Sequence, residues 1–315
     1  MEQPPEVLTM GRSGVDIYPE QIGVSLVDVS TFIKALGGSA TNVAVAAAKY
    51  GRRAALISRT GADPFGEYVH KALREFTVDD RFVTPVEKYP TPVTFCEIFP
   101  PDDFPIYFYR LPKAPDLEIY PEELDLETIA AADIFWTTGT GLCQEPSRAA
   151  TITALKSRQH KAFTIHDLDY RPMFWSDPAE ATRWQREALS HATVAIGNLD
   201  EVEIAVETRD PDEAADRLLE LGVELAVVKQ GPRGVLGRTK ETSVIVPPVP
   251  VEVVNGLGAG DAFGGAICHG LLSGWELERT LGFANAAGAL VASRLLCSSA
   301  MPEASEVEEL LRSRA

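Results

Sequence analysis

The residues best suited to chemistry lie in one glycine-rich run, Asn255-Gly256-Leu257-Gly258-Ala259-Gly260-Asp261-Ala262-Phe263-Gly264-Gly265. Small residues at 258–260 lead into a stretch that reads as a helix beginning near Asp261. A helix N-terminus carries unsatisfied N–H groups and the positive end of the macrodipole, so it attracts anions. Glycines let a phosphate approach the backbone closely. A carboxylate in that turn helps cap the helix, and beside a bound phosphate it can take a proton from an attacking hydroxyl. A tight loop with an aspartate cap would show the same residues. No GxxxxGK[ST] occurs, so this is not a Walker loop. A second run, Gly37-Gly38-Ser39-Ala40-Thr41-Asn42, opens another predicted helix and could present backbone groups and an Asn amide to ligand hydroxyls. Alone it is an ordinary helix start.

Both runs need a scaffold. Short apolar segments that suit strands covered on both faces are Val7–Met10, Ala54–Ser58, Ile134–Thr138, Ala162–Asp167, Val194–Gly197 and Leu225–Lys229. Helical patterns cover Ala40–Tyr50, Asp212–Leu221, Asp261–Ser273 and Leu277–Arg294. This alternation predicts an α/β fold with a doubly wound, mostly parallel sheet. Two segments break it. Residues 15–36 read as short and turn-rich, and residues 91–112 as two strands around a Pro-Pro-Asp-Asp turn. A small antiparallel sheet or an ordinary edge hairpin fits the latter equally. Val244–Val254 suits an edge strand or a connection.

Composition narrows the function classes. With 29 Lys+Arg against 46 Asp+Glu, the net charge of −17 argues against a nucleic-acid partner, which needs a basic footprint. The cysteines, Cys96, Cys143, Cys268 and Cys297, are scattered, so neither a zinc site nor a disulfide framework is read and a reducing cytoplasm is expected. No apolar run approaches the ~18 residues of a membrane span, and MEQPPEVLTM lacks the features of a signal peptide. Of the histidines, only His166, beside Asp167 at a strand end, competes with Asp261 as a base, and Asp261 is better placed. Trp136, Phe174 and Trp175 read as packing residues.

The two glycine motifs together resemble the ribokinase-like (PfkB) carbohydrate kinases. Gly37-Gly38-x-x-x-Asn42-x-Ala44, with Gly51 and Gly61 downstream, is similar to the N-terminal signature of that family. Gly258-Ala259-Gly260-Asp261 with Gly264-Gly265 is similar to the C-terminal one, although Asn255-Gly256-Leu257 stands where the family often has Asp-Thr-Thr. The resemblance spans essentially the whole chain. It implies one ribokinase-like domain over 1–315, with helices on both faces of the sheet and a small β-sheet lid from segments about 15–36 and 91–112. It implies phosphoryl transfer from ATP with Mg²⁺. Asp261 would be the base, and the backbone at Gly258, Ala259, Gly260 and Asp261 would form the anion hole. Asp16, Gly38 and Asn42 would grip the sugar. Asn198-x-x-Glu201 resembles the family's NxxE element, with Glu201 acting on the metal through water. Lys229-x-Gly231-x-x-Gly234 and Asn285 would face the nucleotide. A monovalent cation and a homodimer through the lid are further expectations that the resemblance admits.

GRSGVDIYPEQIG, PPDDFPIYFYRLPKAPD, TGTGL at 138–142 and DLDYRPMFW at 167–175 resemble one branch of that family. Its members phosphorylate the 6-hydroxyl of 5-dehydro-2-deoxy-D-gluconate in myo-inositol catabolism. A neighbouring branch acts on 2-keto-3-deoxygluconate and shares a Tyr-Arg on the lid strand and an Arg near position 171. Both acceptors are acids, and Arg110 and Arg171 are the expected carboxylate partners, because a guanidinium pairs bidentately with a carboxylate. A non-catalytic sugar-acid sensor is the rival from another class, and the intact turn with Asp261 speaks against it.

Overall fold

The computed structural model describes residues 3–314; Met1, Glu2 and Ala315, at the ends of the 1–315 span, lie outside the described residues. The main sheet begins with β1 (Val7–Met10), whose Val7 faces one helical layer while Leu8 and Met10 face the other. The chain then leaves it for β2 (Gly14–Pro19) and β3 (Phe32–Gly37) and returns through α1 (Ser39–Lys49) to β4 (Ala54–Gly61). After α2 (Pro64–Glu75) and β5 (Val83–Val86) it leaves again for β6 (Val93–Cys96) and β7 (Ile106–Tyr109).

From there α3 (Leu126–Ala131), β8 (Ile134–Thr138), α4 (Ser147–Ser157), β9 (Thr164–Asp167), α5 (Pro178–Leu189) and β10 (Val194–Asn198) alternate. Next come α6 (Leu199–Val206), α7 (Pro211–Glu220), β11 (Leu225–Lys229), β12 (Val235–Arg238) and β13 (Ser243–Val246). The chain closes with α8 (Ala259–Leu272), α9 (Leu277–Ala292) and α10 (Ala304–Arg312). Three helices, α2, α5 and α7, start on an Asp cap followed by Pro, at Asp63, Asp177 and Asp210. The Asp side chain accepts from a first-turn N–H, and Pro needs no such partner.

The strand order is β13-β12-β11-β10-β9-β8-β1-β4-β5, parallel from β11 to β5 and antiparallel at β12 and β13. The chain runs outward from β1 to β5, then resumes on the other side of β1 at β8. The carboxyl ends of β1 and β8 therefore border the point where the winding reverses, which is where open α/β sheets bind ligands. A second sheet, β3-β2-β6-β7, stands beside that edge. The 91–112 hairpin matches the expectation. Residues 15–36 are more regular than expected: β2 and β3 pair antiparallel over six residues from Gly14↔Gly37 to Pro19↔Phe32.

Among the described residues, no helix is long and apolar enough to cross a membrane.

One contact fixes how the site is assembled. Helices α1 and α8 lie against each other, with Ala46 meeting Gly265. A Cβ on Gly265 would fall 2.3 Å from Ala46 Cβ, and one on Gly264 2.6 Å from the Trp136 ring. The small residues of α1 and α8 are thus the condition for bringing the two helix N-termini together. Gly265→Val should destabilise the protein by about 1–3 kcal/mol, the usual cost of overpacking. Urea unfolding checks this, and a wild-type midpoint would show that the helices can separate freely.

Candidate functional site

Helix α8 starts at Ala259, two residues before the sequence suggests, because Gly258 takes a left-handed conformation (φ 80°) and ends the preceding loop. A Cβ on Gly258 would lie 2.4 Å from Cys297 Sγ, so glycine is needed for space as well. Asp261 therefore does not cap the helix; it is the third helical residue, and no side chain caps α8. The first N–H groups of α8, at Ala259, Gly260 and Asp261, have no acceptor within the helix. The preceding loop is held by Asn255, whose amide donates to Leu295 O (2.7 Å) while its Oδ1 accepts from Leu257 N (3.0 Å).

The Asp261 carboxylate accepts from Asn42 Nδ2 at 2.7 Å. Asn42 Oδ1 in turn accepts from the Ser298 hydroxyl at 2.5 Å. Asn42, expected to present its amide to a ligand, also holds Asp261. Burial pushes the Asp261 carboxyl up to about 6; Asp169 adds to the rise, while the Asn42 hydrogen bond, Arg12 and Arg171 oppose it. A carboxylate tuned to that range suits proton transfer near neutral pH.

Asp261 lines a cavity of about 520 Å³ that also takes in Asp16, Gly38, Asn42, Gly258 and Arg171. Asp16 projects from β2 over Gly37, where a Cβ would collide with its carboxylate at 2.2 Å. Tyr18 donates to Asp16 (3.2 Å), and burial raises its carboxyl to about 6. Gly38 (φ 105°) turns the chain into α1; a Cβ there would lie 2.3 Å from Arg12 O. Arg171 donates from Nε to Asp169 Oδ1 at 3.0 Å. Burial works against the Asp169 charge, but Arg171, Arg12 and the Ser39 hydroxyl prevail and hold its carboxyl down.

Arg110 lies apart from that cavity. Its guanidinium pairs with Asp116 at 2.9 Å and packs over Phe174 at 4.6 Å, in a side recess shared with Arg12 and Asp16. Phe174 is thus more than packing. Sequence reasoning missed Arg12, Ser39 and Asp169, although Arg12 and Asp169 stand two residues beyond the carboxyl ends of β1 and β9, an address that could have singled them out.

Across the N-terminus of α8 lies a second opening, of about 1190 Å³, bordered by Lys229, Gly231, Gly234, Ala259, Gly260 and Asn285. Gly234 (φ 89°) has no room for a Cβ, which would meet Val246 O at 2.1 Å. The Asn285 amide donates to Pro247 O (2.9 Å), tying α9 to the wall. Lys229 Nζ lies 3.9 Å from Glu201 Oε2, and although burial disfavours its charge, Glu201, Asp167 and Asp261 raise its pKa. Asn198 caps α6, accepting from Asp200 N and Glu201 N (both 2.9 Å), while Asn198 N donates to Glu201 Oε2 (2.7 Å). The helix-start reading of these residues is therefore realised in full.

Asp167 Oδ1, beside this group, is buried without a hydrogen-bond partner. No group of three or more potential metal ligands occurs among the described residues. This set fits a cation held mainly by water and by a phosphate ligand, with Glu201 and Asp167 nearby. His166 is excluded as a base: it is enclosed between Thr137 (2.9 Å) and Gln185 (2.8 Å), and burial lowers its pKa to about 4.

The arrangement is two openings joined by one anion-attracting helix end, with a poised carboxylate on one side. The family model of the pfkB family carbohydrate kinases matches residues 6–304. The chain belongs to the PfkB family. It is an ATP-dependent carbohydrate kinase. A 5-dehydro-2-deoxygluconokinase from Photobacterium profundum is 32% identical over 321 residues, covering 99% of this chain and 96% of that protein. One from Bacillus subtilis is 29% identical over 315 residues, covering 98% and 96%. An E. coli protein crystallised with ATP and Mg²⁺ superposes with a TM-score of 0.89, at 23% identity over 98% of this chain and 99% of that one, a likeness of fold.

A base role for Asp261 predicts that kcat/KM falls as pH drops through about 6, because a base acts only as the carboxylate and the Asp261 carboxyl lies near that value. Asp16 shares the value, and a requirement for both carboxylates would make the fall below it exceed tenfold per pH unit. Asn42→Ala removes a hydrogen bond to the charged form, raises the Asp261 pKa and should move the acid limb to higher pH. Steady-state pH profiles of both proteins check this; an unmoved limb in the variant would detach Asn42 from Asp261.

Proposed function

We propose that the kinase transfers the γ-phosphoryl group of ATP to the 6-hydroxyl of 5-dehydro-2-deoxy-D-gluconate. The observation that carries this reading is the charge layout of one cavity: a carboxylate poised near neutrality shares it with two arginines. A neutral sugar would leave those guanidinia without an anionic partner from the ligand. The curated relatives' shared name points the same way.

In this reading Asp261 accepts the proton of the 6-hydroxyl as its oxygen attacks phosphorus. The N–H groups of Ala259, Gly260 and Asp261 stabilise negative charge on the phosphoryl group in flight. Asp16 orients the acceptor through its hydroxyls. Lys229 contributes positive charge on the nucleotide side, and Gly231, Gly234 and Asn285 shape the nucleotide's seat. Mg²⁺, when bound, neutralises phosphate charge, and Glu201 with Asp167 would hold its water shell. The four-stranded sheet, which supplies Asp16, Thr94 and Phe108 to the cavity, acts as a lid that keeps out competing water.

Asp261→Asn should lower kcat by roughly two to four orders of magnitude with nucleotide binding retained, since the backbone donors remain. Near-normal turnover would remove Asp261 from the role. Glu201→Gln should raise the Mg²⁺ concentration for half activity; an unchanged requirement would leave Glu201 only its capping task. The substrate is tested by coupled ADP release across 5-dehydro-2-deoxy-D-gluconate, 2-keto-3-deoxy-D-gluconate, D-fructose and D-ribose. The first should give the highest kcat/KM. Preference for the second would assign the neighbouring branch, and preference for a neutral sugar would defeat the acid reading.

A further inference from the structure

Arg12 lies in the bend between β1 and β2, with a buried side chain, 8% exposed as a residue. A buried guanidinium is costly unless its donors are met. Two other arginines of this protein obey that rule. Arg110 pairs with Asp116 at 2.9 Å. Arg158 is surrounded by acceptors, among them Thr164 Oγ1 (3.1 Å), Ala132 O (2.6 Å) and Ala162 O (3.2 Å).

Arg12 is under-paired by comparison. Its Nη2 reaches Ser39 Oγ only at 3.4 Å and Asp169 Oδ2 only at 3.9 Å, and its Nε is buried with no partner. Asp169 is already occupied: it accepts from the Ser39 hydroxyl (2.7 Å), the Thr140 hydroxyl (3.3 Å) and Arg171 Nε (3.0 Å). What holds the Arg12 cation in place is aromatic. Phe108 of β7 and Phe174 lie 5.3 and 5.8 Å from its guanidinium carbon, and their rings meet edge-on at 4.9 Å. Ring faces offset part of the lost hydration without using up a donor. The result is a fixed, dry cation, loosely paired through Nη2 and unpartnered at Nε, in the wall of the cavity that contains Asp261.

We propose that Arg12 is the primary receptor for the carboxylate of the acceptor, with Arg171 as a second arm and Asp169 as the positioning residue that steadies both. This rests on the acidic-sugar reading above. Arg171 is the lesser partner because its Nε is spent on Asp169 and its side chain is 36% exposed, where water competes. The layout also sorts the two ends of the substrate. A carboxylate is drawn to the guanidinia and repelled by Asp261, which leaves the far hydroxyl for the base.

The test compares wild type, Arg12→Gln, Arg12→Lys and Arg171→Gln on 5-dehydro-2-deoxy-D-gluconate and on D-fructose, the latter read as acceptor or as competitive inhibitor. Arg12→Gln should lower kcat/KM for the acid about 10- to 150-fold, the scale of a lost hydrogen bond to a charged group, mostly through KM. Its effect on fructose and on KM for ATP should stay within about threefold, less than the loss of one such hydrogen bond. Arg12→Lys should recover little, because an ammonium keeps the charge but not the planar fork.

A loss on fructose equal to that on the acid overturns the proposal, as does a larger acid-specific loss for Arg171→Gln than for Arg12→Gln. Either result leaves the acid reading intact when the wild type still prefers the acid. A wild type that prefers fructose overturns both. Should Arg12→Gln fail to fold, Phe108→Leu carries the test through the ratio of the two sugars: losing one flanking ring should weaken the acid about two- to fivefold more than fructose. Equal effects on the two sugars would overturn the assignment.

Discussion

The site depends on the close approach of α1 and α8. Two helices with Ala46 against Gly265 can bring their N-termini over the same sheet edge; two helices with larger residues there cannot. That approach lets Asn42 of one helix hydrogen-bond Asp261 of the other at 2.7 Å. It places the uncapped end of α8 between the cavity lined by Asp261 and Asp16 and the opening bordered by Lys229 and Asn285. The glycines and alanines of the two signatures thus serve the packing of the two helices.

The electrostatics follow from the same geometry. Removing water from this edge raises Asp261 and Asp16 toward neutrality, where a carboxylate can both hold and release a proton. It would also have raised Asp169, but Arg171 and Arg12 reverse the direction. The three carboxylates therefore divide: two are poised for exchange, and one stays charged to steady the cations. Beside the second opening, the Glu201 carboxylate raises the Lys229 pKa against the opposing effect of burial. Phosphoryl transfer asks a protein mainly for positioning and fixed charge, and this layout supplies both with few moving parts.

The second sheet shows how function can reside outside the main fold. It contributes Asp16 from β2, Thr94 from β6 and Phe108 from β7 to a cavity that Asp261 of α8 also lines. The cavity is thereby assembled from elements of both sheets. The Phe108–Phe174 edge contact joins the small sheet to the loop after β9 and packs beside Arg12.

Much of this was legible in the sequence. The periodicity of Val7–Met10, Ile134–Thr138 and Leu225–Lys229 reflects burial on both faces, a local property, and those strands lie where it places them. The turn at Gly258–Asp261 was readable because glycine followed by a small-residue helix has few other uses. Side-chain partnership was not readable. Nothing local says that Asn42 hydrogen-bonds Asp261, that Arg110 pairs with Asp116, or that Asn198 and Glu201 cap each other while Glu201 also faces Lys229. Arg12 appeared only within a branch signature. Its significance comes from what its neighbours leave unpaired, and that count exists only once β1, β7, β9 and α1 meet. Backbone form is set by residues near in sequence. The free donors and shifted carboxyls of the site are set by residues far apart along the chain, and the tertiary structure alone decides which of them meet.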